Sequence, residues 1–271
     1  MIWENGQWRE GNLNKYLENG KRKWIYEVVR IQEACPIFIT EHLDRLWQGA
    51  ANIQVPLLFK PNEITAGLFD LIDQEKYPFG NIRIQVDQKS GLTLMGFIPH
   101  HYPAYDDYQN GISVTFLQTE RTNPNVKCWN PYVRRSADEH ISKTDSYETI
   151  LVNQEGYLTE GSRSNLFGIK SGELFTPPLE QVLPGITRQV LLRLARENAL
   201  PLKEARIHKT ELGLFESFFV SGTSPGVLPV RKIEGNAFAP NNPITKKLST
   251  LYTEAIKQNI DQTVRNFRNT Q

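Results

Sequence analysis

The sequence predicts an α+β protein of two domains, on three observations. Strand-like runs of β-branched and aromatic residues are mixed with segments whose apolar residues recur at helical spacing. The chain has 271 residues, enough for one large domain or two of ordinary size with real cores. Between two such mixed halves lies Gln118-Thr119-Glu120-Arg121-Thr122-Asn123-Pro124-Asn125, polar and rich in Pro and Asn, which suits a linker or hinge. The expected organisation is a small N-terminal domain over 1–117, a linker over 118–125 and a larger domain over 126–271.

Ile2-Trp3-Glu4-Asn5-Gly6-Gln7-Trp8 sets apolar residues around Asn-Gly, the strongest short-range hairpin signal. Trp24 to Ile31 is β-branched and aromatic and reads as a strand. After the apolar Ile37-Phe38-Ile39, Thr40 with Glu41 in the first turn caps a helix carrying Leu43, Leu46 and Trp47. Pro61-Asn62-Glu63 opens a second helix through Ile72. Asn81 to Val86 and Leu92 to Ile98 alternate as paired strands, and Ile112 to Leu117 is another. Beyond the linker, a helix is expected around 131–142 and strands at 148–153, 157–159, 165–169 and 173–176. Thr187 to Asn198 is helical with Val190, Leu191, Leu194 and Ala195 on one face. A strand at Glu216 to Val220 and a helix over 244–258 complete the chain, which shows no internal repeat or low-complexity tract.

With 31 basic and 30 acidic residues the net charge is +1, which argues against a nucleic-acid or membrane partner. No apolar run approaches the roughly 18 residues of a membrane span, and the N-terminus lacks the pattern of a signal peptide. The two cysteines, Cys35 and Cys128, have no metal-ligand spacing and are expected as reduced thiols. These features together predict a cytoplasmic protein.

Several short segments could carry chemistry. Leu183-Pro184-Gly185-Ile186-Thr187-Arg188 places a turn before an amphipathic helix that Thr187 can cap; a helix N-terminus after glycine is a phosphate site or an ordinary capped loop. Ser221-Gly222-Thr223-Ser224-Pro225-Gly226 offers hydroxyls and open backbone to an anion, or simply turns the chain. Arg45, within Glu41-His42-Leu43-Asp44-Arg45-Leu46, can bind phosphate with its planar fork or pair with Glu41 one turn earlier. Lys127 lies among apolar and aromatic residues, where an amine can serve as nucleophile or base. In Leu158-Thr159-Glu160-Gly161-Ser162-Arg163-Ser164-Asn165-Leu166-Phe167, an acid and four small or polar residues separate two strands, longer than a plain hairpin turn needs.

These pieces occur together in one order, and the chain resembles the class IV aminotransferases, the fold type IV enzymes that use pyridoxal 5′-phosphate (PLP). The resemblance runs from about Trp3 to past Pro229 and rests on EHLDRL (41–46), a lysine 33 positions before a glutamate, TEGSRSNLF (159–167), LPGITR (183–188) and SGTSPGVLPV (221–230). It implies a small α/β domain followed by a larger one with a barrel-like core, and a homodimer with its active site at the interface. It implies that Lys127 forms the Schiff base with PLP, since Lys143 stands too close to Glu160, and that Glu160 pairs with the pyridine nitrogen. By the same resemblance, Arg45, the amides of Ile186 and Thr187, and Thr223 with Ser224 are expected to form the phosphate cup. It further implies that Tyr132 bonds the phenolic oxygen, that Ser164 and Asn165 stand beside the cofactor, and that Tyr26 and Val28 line the substrate.

Departures from the family pattern concern the substrate carboxylate. Asn19-Gly20-Lys21-Arg22-Lys23-Trp24-Ile25-Tyr26-Glu27 replaces the usual glycine- and aspartate-rich stretch, and the loop holding His100-His101-Tyr102-Pro103 has no arginine. Arg22, reaching across from a second subunit, and Arg163, inside the Gly161-Ser162-Arg163-Ser164-Asn165 turn, are candidates to rebuild carboxylate binding, each with a surface-cation alternative; Arg30 can be core-paired. Trp3, Trp8 and Trp24 are expected as exposed aromatics facing a partner. The implied activity is amino transfer from an amino acid, foremost a D-amino acid such as D-glutamate or D-alanine, to a keto acid such as 2-oxoglutarate. Branched-chain L-amino acid transfer and aminodeoxychorismate cleavage are the alternatives, and a cofactor-binding protein without turnover has no need for the Lys127 and Glu160 pair.

Overall fold

The computed structural model describes residues 1–18, 20 and 22–267; Asn19 and Lys21 of the departing stretch lie outside the described residues. Its backbone forms two compact units, one of Met1–His101, Val126–Trp129 and the chain from Glu254 onward, the other of Tyr102–Asn125 and Asn130–Thr253. This division differs from the expected boundary at 117. The strand Ile112–Gln118 pairs on both of its edges within the second unit, so the chain enters that unit before the polar stretch. Residues 126–129 return to the first unit because the strand at 24–26 binds their backbone.

In the first unit the elements are β1 (Ile2–Glu4), β2 (Gln7–Arg9), α1 (Lys15–Glu18), β3 (Trp24–Gln32), β4 (Cys35–Pro36), α2 (Ile39–Asn52), α3 (Pro61–Glu75), β5 (Gly80–Asp87) and β6 (Thr93–Ile98). The strands form an antiparallel sheet in the order β2-β1-β6-β5-β3-β4. Asn5 and Gly6 turn the first hairpin with φ of 47° and 86°, the left-handed pair that the two-residue turn demands. Ile25, Val29 and Ile31 of β3 pack with Ile82, Ile84 and Val86 of β5 against Ile39, Leu43, Leu46 and Ala50 of α2. Each of these buried Ile, Leu and Val side chains contributes on the order of 1.5–3 kcal/mol.

Two expectations are corrected here. Helix α2 begins at Ile39, so Thr40 lies inside it; the residue before it is Phe38, at φ 52° without a side-chain cap. Burial of Ile37 and Phe38 outweighs capping propensity, and the Phe38 N–H donates to Asn259 Oδ1 at 2.7 Å instead. Trp3 and Trp24 are buried in the chain's own core, Trp3 edge-on to Phe59 at 4.9 Å and Trp24 donating to the Tyr16 carbonyl at 3.3 Å, and Trp8 is partly buried. The exposed aromatics are Tyr77, Phe79, Tyr105 and Tyr132.

The second unit contains α4 (Tyr105–Asn110), β7 (Ile112–Gln118), α5 (Pro131–Thr144), β8 (Glu148–Val152), β9 (Tyr157–Gly161), β10 (Asn165–Lys170), β11 (Glu173–Thr176), α6 (Ile186–Glu197), β12 (Leu202–Glu204), β13 (Ile207–His208), β14 (Ser217–Gly222), β15 (Gly226–Ile233), β16 (Asn236–Ala237) and the start of α7 (Pro243–Phe267). Strands β10-β14-β15-β7-β8-β9 follow one another, and β9 pairs back to β10 through Glu160 and Asn165. Six strands thus close a barrel, which leaves no edge within the ring. Its core is Ile112, Val114, Ile150, Val152, Leu158, Leu166, Phe218, Val220, Leu228 and Val230. Among the described residues, no helix is long and apolar enough to cross a membrane.

Candidate active site

In the first unit, alternation along β3 places Glu27 on the apolar face with Ile25 and Val29, where it is wholly buried. A buried acid must be paired. His42 and Arg45, three residues apart on α2, supply the partners: Arg45 Nε donates to Glu27 Oε1 at 2.7 Å, Arg45 Nη2 to Oε2 at 2.5 Å, and His42 Nδ1 meets Oε2 at 2.7 Å. Arg45 therefore pairs with Glu27, a partner from the strand rather than its own helix. Burial alone would push the Glu27 carboxyl up, but the Arg45 charge and the His42 hydrogen bond outweigh it and bring it to about 2. His42 is pushed down, first by burial and further by Arg45 and Lys127, against the pull of Glu27. A neutral His42 facing a carboxylate carries its proton on Nδ1, an assignment that follows from the pairing.

Lys127 is held by its backbone. The Tyr26 N–H donates to the Lys127 carbonyl at 2.9 Å, the Trp129 N–H to the Trp24 carbonyl at 2.8 Å, and Ile25 bridges Cys128. Residues 126–129 thereby add a short rung to the edge of β3. Lys127 Nζ lies 4.8 Å from the centre of the Tyr26 ring, and Trp129 meets that ring edge-on at 5.6 Å. Tyr26 and Val28, opposite Gln85 and Arg83, occupy the sheet face away from α2, Tyr26 buried and Val28 half-buried.

In the second unit, a bulge aims Glu160. Ile150 and Val152 of β8 are opposite Gly161 and Leu158, so three steps on β9 match two on β8. The extra residue shifts the alternation, as bulges near sites do. Leu158 points into the barrel core, while Glu160, 3% exposed, meets groups outside it. Arg121 Nε lies 2.8 Å from Glu160 Oε1; the Leu183 N–H donates to Oε2 at 3.1 Å and Asn165 Nδ2 at 3.4 Å. Asn165 Nδ2 also donates to the Leu183 carbonyl at 3.0 Å, so it ties the acid to the turn that starts α6.

Helix α6 begins at Ile186 with Gly185 as its N-cap, no side-chain cap and no acid in the first turn. Thr187, expected as the cap, sits inside the helix with its hydroxyl 3.2 Å from that of Tyr252. A Cβ on Gly185 would stand 2.0 Å from Asn165 Oδ1. Gly185→Ala is therefore expected to destabilise the protein by about 1–3 kcal/mol through overpacking, read as a lower midpoint in urea unfolding.

The remaining expected residues are placed as follows. Thr223 and Ser224 lie half-buried in the turn after β14. Ser164 donates its hydroxyl to Glu148 Oε2 at 2.9 Å. Tyr132 is the second residue of α5 with its N–H bound by Asn130 Oδ1 at 3.1 Å, and its side chain is 77% exposed. Arg163 forms an exposed ion pair with Asp138. Arg22 is exposed, 3.9 Å from Asp87 and 3.5 Å from Ser90 Oγ. Arg30 is half-buried on β3. Sequence reasoning missed Glu27, His42, Arg121 and Glu148. Glu27 had a signal, a lone acid in an Ile-x-Glu-x-Val alternation; Arg121 had none, because its partner lies far along the chain.

The class IV aminotransferase family model matches residues 24–233, and the chain belongs to that family, whose members depend on PLP. The chain is 30% identical over 253 residues to a probable branched-chain-amino-acid aminotransferase of Thermotoga maritima, covering 90% of each. It is 28% identical over 256 residues to the D-alanine aminotransferase of Bacillus licheniformis, covering 89% of this chain and 90% of the relative. Its fold matches the branched-chain aminotransferase of Thermoproteus uzoniensis with a TM-score of 0.84 at 21% identity, covering 97% of both chains.

The residues present fit that cofactor. The uncapped, acid-free start of α6 suits a phosphate. The buried Ser221 hydroxyl, opposite Asn165, has no hydrogen-bond partner among the described residues and can donate to an anion. Glu160, set between a guanidinium and N–H donors, suits a protonated ring nitrogen.

Proposed function

We propose that the protein transfers the amino group of an α-amino acid to a 2-oxo acid through Lys127, with D-amino acids such as D-glutamate or D-alanine as donors and 2-oxoglutarate as acceptor. The observation that supports it most is Glu160, buried, aimed by a bulge and bonded to both Arg121 and the α6 turn. The amides of Ile186 and Thr187, the hydroxyls of Thr223 and Ser224, and Arg45 bind the phosphate. Glu160 orients the ring nitrogen, Asn165 holds Glu160 against Leu183, Ser164 braces the turn between them, and Tyr132 bonds the phenolic oxygen. PLP, when bound, supplies the electron sink for the pair left at the substrate α-carbon. Lys127 anchors the cofactor, and its Nζ moves the proton at that α-carbon. Tyr26 and Val28 line the substrate, and Arg22 and Arg163 are the candidates for its carboxylate.

The D-specific reading draws on the Gly161-Ser162-Arg163-Ser164-Asn165 turn and on the D-alanine aminotransferase relative. The 30% identity to the Thermotoga maritima protein favours a second reading, branched-chain L-amino acids as donors. We further propose a cytoplasmic homodimer whose interface completes the site. The test of the donor is the visible spectrum of the PLP-loaded protein. Conversion by D-glutamate and not by L-leucine is the expected result; the reverse establishes the second reading. Release of pyruvate and 4-aminobenzoate from aminodeoxychorismate, without an acceptor, would replace both by a lyase.

A further inference from the structure

We propose that Glu148 is a positioning residue for Glu160. It acts through the Ser162–Ser164 turn and through Arg121, and the proposal rests on the reading that Glu160 faces the cofactor's ring nitrogen. Glu148, at the start of β8, is 5% exposed. Its Oε1 accepts the Thr149 N–H at 2.9 Å, the Ser162 N–H at 3.2 Å and the Ser162 hydroxyl at 2.7 Å. Its Oε2 accepts the Arg163 N–H at 3.1 Å and the Ser164 hydroxyl at 2.9 Å. Five donors thus converge on one carboxyl, four of them from three successive residues of the turn that follows Glu160.

Two details show that the turn is shaped around this carboxyl. A Cβ on Gly161 would stand 3.0 Å from Glu148 Oε2 and 2.1 Å from Ser164 Oγ, so only glycine lets the chain pass this closely. The Arg163 guanidinium goes outward to Asp138, so its backbone N–H, not its charge, serves Glu148. The turn in turn holds Arg121: its Nη2 donates to the Ser162 carbonyl at 2.8 Å while its Nε lies 2.8 Å from Glu160. Ser162 therefore faces Glu148 with its N–H and hydroxyl and Arg121 with its carbonyl. A displaced Ser162 moves the guanidinium that Glu160 relies on.

Glu148→Gln separates this role from bulk. The amide has the same size but offers N–H groups where one oxygen was, and a backbone N–H at Thr149, Ser162 or Arg163 then faces another donor. Three readouts decide: the visible band of the PLP-loaded protein followed against pH, the PLP dissociation constant, and the thermal midpoint of the protein without added PLP. Glu148→Gln is expected to shift the midpoint of the pH titration by about one unit and to weaken PLP binding about tenfold. Ser162→Ala, which keeps the backbone donor, is expected to shift both in the same direction by less. A Glu148→Gln protein with a lowered thermal midpoint but wild-type titration and PLP affinity would reduce Glu148 to scaffold and overturn the proposal. If Glu148→Gln does not fold, Ser162→Ala decides alone, and an unchanged titration overturns it. A wild-type protein without any band in the presence of PLP overturns instead the cofactor reading beneath it.

Discussion

Replacing Lys127 by alanine is expected to remove the visible band of the bound cofactor and to lower turnover by about 10³-fold or more, since the residue is proposed to serve both as anchor and as proton carrier. The fold should survive. Residues 126–129 are fixed to β3 by main-chain hydrogen bonds, from Tyr26 N–H to the Lys127 carbonyl and from Trp129 N–H to the Trp24 carbonyl, which alanine keeps. Lys127 itself is only partly buried, so the cost in stability should stay near 1 kcal/mol. Absorbance and thermal unfolding of the same sample therefore separate chemistry from folding. A Lys127→Ala protein that keeps its band, with the band lost in Lys143→Ala, would move the anchor to the exposed Lys143 of α5 and sink the assignment.

Glu27→Gln is expected to be the most damaging substitution to stability, on the order of 3–5 kcal/mol, because it leaves the Arg45 cation buried without its counter-charge. The pH dependence has a defined sign. The Glu27 carboxyl is near 2 in the folded protein against an ordinary 4.5, so its contribution is complete above about 4.5 and is lost as pH falls toward 2. That difference corresponds to on the order of 3 kcal/mol. His42 is also lowered from its ordinary 6.5. Below that value the unfolded chain takes up a proton that the folded protein refuses, so stability begins to fall earlier on the acid side. Urea unfolding at several pH values checks both: the wild type should lose stability faster than Glu27→Gln between 4.5 and 2. Parallel curves would show that Glu27 does not carry this acid sensitivity.

Local signals were legible where local physics decides. The Asn5-Gly6 hairpin, the β3 alternation and the amphipathic stripe of α6 depend on φ preferences and periodicity, and they formed where those patterns lie. Helix starts were misplaced at Thr40 and Thr187 because the chain before each is controlled by packing: Phe38 by burial and Asn259, Gly185 by its approach to Asn165. The tryptophans at 3 and 24 were misjudged for the same reason, since exposure is a property of the assembled core.

The order of motifs in the sequence determined the family, and on it rests the proposal that Lys127, Glu160 and the α6 turn carry the chemistry. Their partners depended on the fold. Glu27 meets Arg45 because a strand and a helix pack face to face, and Arg121 meets Glu160 because a bulge on β9 turns the acid out of the barrel. Glu148 gathers the Ser162–Ser164 turn because β8 and β9 are neighbours in a closed ring. Hydrogen bonds act over about 3 Å whatever the separation in sequence, so pairings between distant residues follow only from the closed barrel and the packed sheet.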